Sequence, residues 1–164
     1  MAKTKKLNSM RFLENHAVAY EICEFDDSIH SAEGVAEFFD IPLYTVYKTL
    51  VVMPDDGSSN KKPMLALLGA GRQLELKQFA KGAGFKKVRM ASQQEAEKLT
   101  GLKVGGISAL ALTAKHWQVF LDQVAIELDT ILISAGQRGI NLRVGVEDLI
   151  KVLAIQVLEY GVEA

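Results

Sequence analysis

The chain has 164 residues and a single cysteine, Cys23, which excludes an internal disulfide and a thiolate metal cluster. Its three histidines, His16, His30 and His116, lie far apart and share no ligand spacing, which argues against a zinc hydrolase. There is no G-x-S-x-G elbow, and neither Ser108 nor Ser134 has an obvious histidine partner. The phosphate-binding signatures G-x-x-x-x-G-K-S/T and G-x-G-x-x-G are missing too. No apolar run approaches bilayer-spanning length, and the charged start over residues 1–9 is not followed by the apolar stretch of a secretory leader. The expectation is a soluble, cytoplasmic protein with no membrane contact. Internal repeats, low-complexity tracts and linkers are absent as well, so residues 1–164 read as one domain.

What is present is ordinary globular composition, 49% hydrophobic and 24% charged, enough for a real core. A net charge of −1 hides an asymmetry. From Tyr20 to Asn60 nine acids face one cation, Lys48; from Arg72 to Lys103 eight cations face three acids. A basic face beside an acidic one suits a salt-dependent contact with phosphates, and equally a solvated helix surface.

Strand and helix patterns interleave without a repeating βαβ unit, which favours a mixed α+β domain. Asn8 or Ser9 is placed to cap a short helix carrying Met10, Phe12 and Leu13. Ala19 to Phe25 alternates as a strand. Ser31 reads as an N-cap, followed by an apolar stripe of Val35, Ala36, Phe38 and Phe39. Val46 to Met53 and Met64 to Leu68 read as strands, Leu74 to Ala83 as a helix, and Lys87 to Met90 as a short strand. Ser92 and Glu95 form a capping box for a helix that stops at Gly101. Strands are expected near Gln118–Leu121, Thr130–Ser134 and Asn141–Val144, with a last helix from Val146 to Leu158. The apolar tail from Val152 to Tyr160 would either cover the core or pair with another copy.

Lys48 is the most informative residue. Alternation puts it on one strand face with Val46, Leu50 and Val52, a costly place for an ammonium unless it has partners or reaches a cavity. A snorkelling lysine on an edge strand satisfies the same pattern. Three glycine-containing loops, Gly69–Gly71, Gly105–Ser108 and Ser134–Gly139, are able to offer backbone N–H groups to an anion or a developing oxyanion, or are simply turns. Asp122, after Val119-Phe120-Leu121, is a candidate carboxylate or a strand-end turn residue. Arg138 suits a phosphate or decorates a turn, and Cys23 reads as buried packing. Such a site fits a substrate that is already activated, where positioning and oxyanion stabilisation suffice.

Three segments in this order, Val46-Tyr47-Lys48-Thr49-Leu50-Val51, Val104-Gly105-Gly106-Ile107-Ser108 and Ile133-Ser134-Ala135-Gly136-Gln137-Arg138-Gly139, resemble the YbaK family of aminoacyl-tRNA deacylases. That family is related to the editing domain inserted in bacterial prolyl-tRNA synthetases, and the resemblance runs over nearly the whole chain. It implies a curved, barrel-like mixed sheet surrounded by helices, and hydrolysis of cysteine or alanine wrongly esterified to proline tRNA, with no metal or organic cofactor. By the resemblance Lys48, Gly105 and Gly106 carry catalysis: Lys48 orients the ester, and the glycine amides hold the oxyanion. Phe25, Ile107, Ser108, Asp122, Ser134 and Gly136 line the substrate. The implied partners are the aminoacylated acceptor end of tRNA and an aminoacyl-tRNA synthetase. The sequence departs from the family at Ala109 and Ala111, where the pattern has proline and glycine, and at Phe25, where it has tyrosine. A competing expectation is a non-catalytic module that binds tRNA ends or nucleotides and docks on a synthetase.

Overall fold

The computed structural model describes residues 6–164; the charged residues 1–5 lie outside it. In chain order the elements are α1 (Asn8–Asn15), β1 (Tyr20–Glu24), α2 (Ala32–Phe39), β2 (Tyr47–Pro54), β3 (Met64–Gly69), β4 (Arg72–Leu74), α3 (Leu76–Ala83), β5 (Val88–Met90), α4 (Gln93–Thr100), β6 (Val119–Asp122), β7 (Thr130–Gln137), β8 (Ile140–Gly145), α5 (Val146–Val152), β9 (Gln156–Leu158) and β10 (Gly161–Glu163).

The class is α+β, as the mixed pattern implies. One sheet has the order β5-β2-β3-β6-β9, a second the order β1-β8-β7, and β4 pairs with β10 as a ribbon. Antiparallel β2–β3 and β2–β5 pairs adjoin the parallel β3–β6 and β6–β9 pairs. A single parallel bridge, Val46 to Leu132, joins the two larger sheets. The sheets do not close into a barrel, because that join is one residue wide.

Strand β3 is buried along its whole length, as its unbroken apolar run requires in a sheet covered on both faces. Leu65 and Leu67 face a large core with Tyr47, Val51, Leu121 and Ile133. Ala66 and Leu68 face a second core with Val52, Phe79, Phe120 and Tyr160. There Phe79 meets Phe120 and Tyr160 edge-on, with ring centroids 5.0 and 5.2 Å apart. Each buried ring contributes roughly 1.5–3 kcal/mol through its apolar area.

Local rules set most helix ends. Ser31 Oγ accepts from the Gly34 amide, and the Ser92–Glu95 capping box forms in both directions. Gly84 and Gly101 close α3 and α4 in the left-handed conformation. Four expectations are corrected. Ser9 does not cap α1: it is buried, and its hydroxyl donates to the Ala135 carbonyl at 2.6 Å. Leu74 belongs to β4, not to α3, whose N-cap is Glu75. Phe38 is 51% exposed, off the buried stripe of α2. The last helix stops at Val152, and the residues after it form β9 and β10, with Tyr160 fully buried. The tail therefore covers the core.

Candidate active site

A cavity of about 280 Å³ opens where the two large sheets part. It is walled by α2, β2, the end of β5, the start of α4 and the Val104–Ile107 loop, with Ser134 and Asn141 behind. Its geometry follows from the hydrogen bonding of β2. The Val46 carbonyl accepts from the Ala70 amide on the β3 side, whereas the Val51 carbonyl accepts from the Ala91 amide on the β5 side. Alternate residues of a strand direct their backbone groups to opposite edges. Even positions from 46 to 52 thus serve β3, and Thr49, two before Val51, turns its N–H and C=O to the other edge. On that edge the bridge at Val46 lies before Thr49 and the β5 register begins at Val52 after it. The cavity occupies the interval.

Lys48 lies in this gap, its side chain 33% exposed, with its Nζ 3.8 Å from Glu33 Oε1. Glu33 is held by the Gly71 amide at 3.2 Å. Burial alone would raise the Glu33 carboxyl, but backbone amides of Glu33 and Gly71, and then Lys48, outweigh it and leave it below the usual carboxylate range. At 3.8 Å the ammonium is attracted to Glu33 but makes no hydrogen bond to it, so its donors are not committed to that carboxylate. On the other face of β2, Thr49 Oγ1 is buried and has no hydrogen-bond partner among the described residues. An orphan hydroxyl of this kind costs about 1–3 kcal/mol.

The loop after α4 forms the opposite wall. Gly105 lines the cavity with φ +91°, and a side chain there would meet the His30 backbone at 3.0 Å. Ile107 lines it as well. The loop is fastened from outside: Glu97 accepts from the Val104 amide at 2.8 Å, and Arg138 donates to the Val104 carbonyl at 2.7 Å. Arg138 therefore braces the loop.

Of the residues singled out from sequence, Lys48, Gly105, Ile107 and Ser134 meet around this cavity. The others do not line it. The Gly106 amide already donates to Lys103 at 2.7 Å, and Gly106 is pressed against the backbone of Gln137 and Arg138, so its N–H is not free for an oxyanion. Ser108 is buried and caps the turn at Ala109–Ala111, accepting from the Leu110 amide. The Gly136 amide donates to Ser134 Oγ inside the β7 bulge. Phe25 packs against Phe38 and Phe39, with ring centroids 6.3 and 6.1 Å away.

Asp122 is the sharpest correction. It is 1% exposed, bonds Arg72 Nε at 3.2 Å, and accepts from the amides of Tyr160 and Gly161. Its oxygens fasten the C-terminal segment to β6, and none reaches the cavity. Nearby, burial and then the Asp122 carboxylate push the Tyr47 phenol up to about 12, against the opposing pull of Arg72.

The lining residues not singled out from sequence include the polar side chains of His30, Glu33, Thr49 and Asn141. Asn141, only 5% exposed, comes to the wall because β8 pairs it with both Cys23 and Ser134. Ile140 to Val144 alternates apolar and polar residues, so Asn141 shares a face with Arg143 and reads from sequence as solvated.

The arrangement is a cleft with one cation and free backbone groups, without a strong nucleophile. The aminoacyl-tRNA editing domain model matches residues 26–152, and the chain belongs to that family. It is 35% identical over 156 residues to EbsC of Enterococcus faecalis, provisionally named a Cys-tRNA(Pro)/Cys-tRNA(Cys) deacylase, with 92% of each chain covered. It is also 26% identical over 108 residues to proline–tRNA ligase of Dechloromonas aromatica, covering 66% of this chain and 19% of that enzyme. In fold it matches a crystal structure described provisionally as a trans-editing enzyme for prolyl tRNA synthetase, with TM-score 0.75, 21% identity, and 95% and 98% of the two chains covered.

Proposed function

We propose that the chain is a trans-acting deacylase that hydrolyses mischarged tRNA, of the Cys-tRNA(Pro) or Ala-tRNA(Pro) type. The observation that carries this reading is the half-engaged Lys48 ammonium at an interruption in β2 pairing, with the Gly105 loop opposite. A cavity of about 280 Å³ suits an aminoacyl group with part of its ribose and excludes large side chains.

In this mechanism Lys48 donates to the ribose or to the acyl group and fixes the ester against the loop. Water adds to the ester carbonyl carbon, and the negative charge that develops on the carbonyl oxygen is met by backbone N–H groups. The amides of Gly105 and Ile107 are the candidates, since neither has an acceptor among the described residues, whereas that of Gly106 does. The bond from carbon to the ribose oxygen then breaks. That oxygen takes a proton that water brought, and the acyl carbon leaves as the free amino acid, whose carboxyl releases the second proton. The ester is already activated, so positioning supplies most of the acceleration and the protein needs no nucleophile of its own.

The test is release of amino acid from Cys-, Ala- and Ser-tRNA(Pro) and from Cys-tRNA(Cys), with wild type and Lys48→Met. Release from at least one ester is expected, reduced about 100-fold or more in the variant, while its unfolding free energy stays within about 0.5 kcal/mol. No release above the uncatalysed rate, with a synthetase present, overturns the proposal in favour of a binding module.

A further inference from the structure

The cavity lies between walls of opposite charge. On one side α2 and the turn before it carry Asp26, Asp27, Glu33, Glu37 and Asp40, with Lys48 as the nearby cation. On the other side the rim is Met90 and Gln93, at the end of β5 and the start of α4. β5 is an edge strand, α3 packs beside it, and α4 follows it directly. Around this edge Lys77, Lys81, Lys86, Lys98 and Lys103 are all exposed, and none has a carboxylate within 4.0 Å among the described residues.

The acids of this region are occupied elsewhere. Asp55 pairs with Lys87, and Glu95 holds Arg89 through two bonds. Glu75 caps α3, Glu97 fastens the loop at Val104, and Asp56 accepts from the amides of Ser58 and Lys86. Glu75, Glu97 and Asp56 keep their charge, so against five lysines without an ion-pair partner among the described residues the region stays net positive, beside a cavity whose opposite wall is acidic.

We propose that this lysine band seats the phosphates of the tRNA acceptor end whose ester enters the cavity, so that the RNA leaves over β5 and α4 and not over α2. The identity of the RNA rests on the deacylase reading; the direction of approach rests on the charges. Phosphate contacts of this kind position a nucleic acid without reading its sequence, and their strength falls with salt in proportion to their number.

The experiment measures binding of uncharged tRNA to the full chain by anisotropy between about 50 and 200 mM salt. Two paired variants neutralise the band, Lys98→Gln with Lys103→Gln, and Lys77→Gln with Lys81→Gln. Lys115→Gln with Lys151→Gln removes the same charge elsewhere on the surface. In each band variant the slope of log affinity against log salt should shrink by about 1.4 for single-stranded contacts or 1.8 for duplex contacts, with the control unchanged. If all three pairs behave alike, the lysines are solvated surface and the proposal fails. Because the RNA is uncharged, the result is independent of hydrolysis: altered slopes with no turnover would keep the band and remove the deacylase, and unaltered slopes with full turnover would do the reverse.

Discussion

Lys48 and Asp122 are both charged residues on apolar strands of the same sheet, and their surroundings differ in kind. Asp122 is fully buried, with Arg72 and two backbone amides on its oxygens. Lys48 keeps one partner at 3.8 Å and a third of its side chain in the open. The first is a charge that assembles the fold and is saturated by it. The second is left under-satisfied, at the interval of β2 between its bridge to β7 and its pairing with β5. Saturation, more than burial or charge, separates the structural group from the one free to meet a ligand.

The largest effect that would test this contrast is the removal of Asp122. Asp122→Ala strands Arg72 and the amides of Tyr160 and Gly161, and should lower stability by about 3–5 kcal/mol in urea unfolding. Deacylation per folded molecule should be unchanged. A loss under about 1 kcal/mol, or a lost activity in the folded fraction, would break the distinction. The second effect is alkaline. A tyrosine whose folded pKa is raised contributes stability that is lost as pH climbs, because the unfolded chain releases the proton first. With Tyr47 near 12 and Tyr160 raised by burial in the same direction, stability should fall from pH 10 upward, by roughly 2–3 kcal/mol at pH 12 from Tyr47 alone. Tyr47→Phe should flatten that decline. The smallest effect belongs to the cavity: Thr49→Val removes an unpaired hydroxyl and should raise stability by up to about 1 kcal/mol while raising KM several-fold. A destabilised variant would mean that the hydroxyl has a partner in the protein.

Features determined within a few residues were legible in the sequence. Ser31, the Ser92–Glu95 box and the terminal Gly101 of α4 act on their own turn, and each was found where the pattern put it. The alternation of β2 likewise singled out Lys48. Features determined across the chain were not legible. Asp122 receives its partners from 38 to 50 positions away, and Ser9 meets a carbonyl 126 positions away. The helix after Val146 ends without glycine or proline, because β9 gains parallel partners on β6 and Ala154 accepts a positive φ at the corner. The Gly105–Gly106 pair looked equivalent as donors, yet a turn bond to Lys103 takes one amide and leaves the other. Asn141 entered the cavity wall only through its register with Ser134.

The unpaired interval of β2 has a bearing on how such a pocket changes its preferences. A main-chain N–H or C=O cannot be deleted by exchanging one side chain for another, short of introducing proline. Any variant of this chain that keeps the strand therefore inherits the same donor and acceptor at Thr49, in the same place. What selection or a protein engineer can alter is the company around them, chiefly the side chains of Thr49, Ile107 and Asn141. The main-chain groups at Thr49, like the amides of Gly105 and Ile107, would thus stay constant, and discrimination among substrates would be adjustable at a few neighbouring positions.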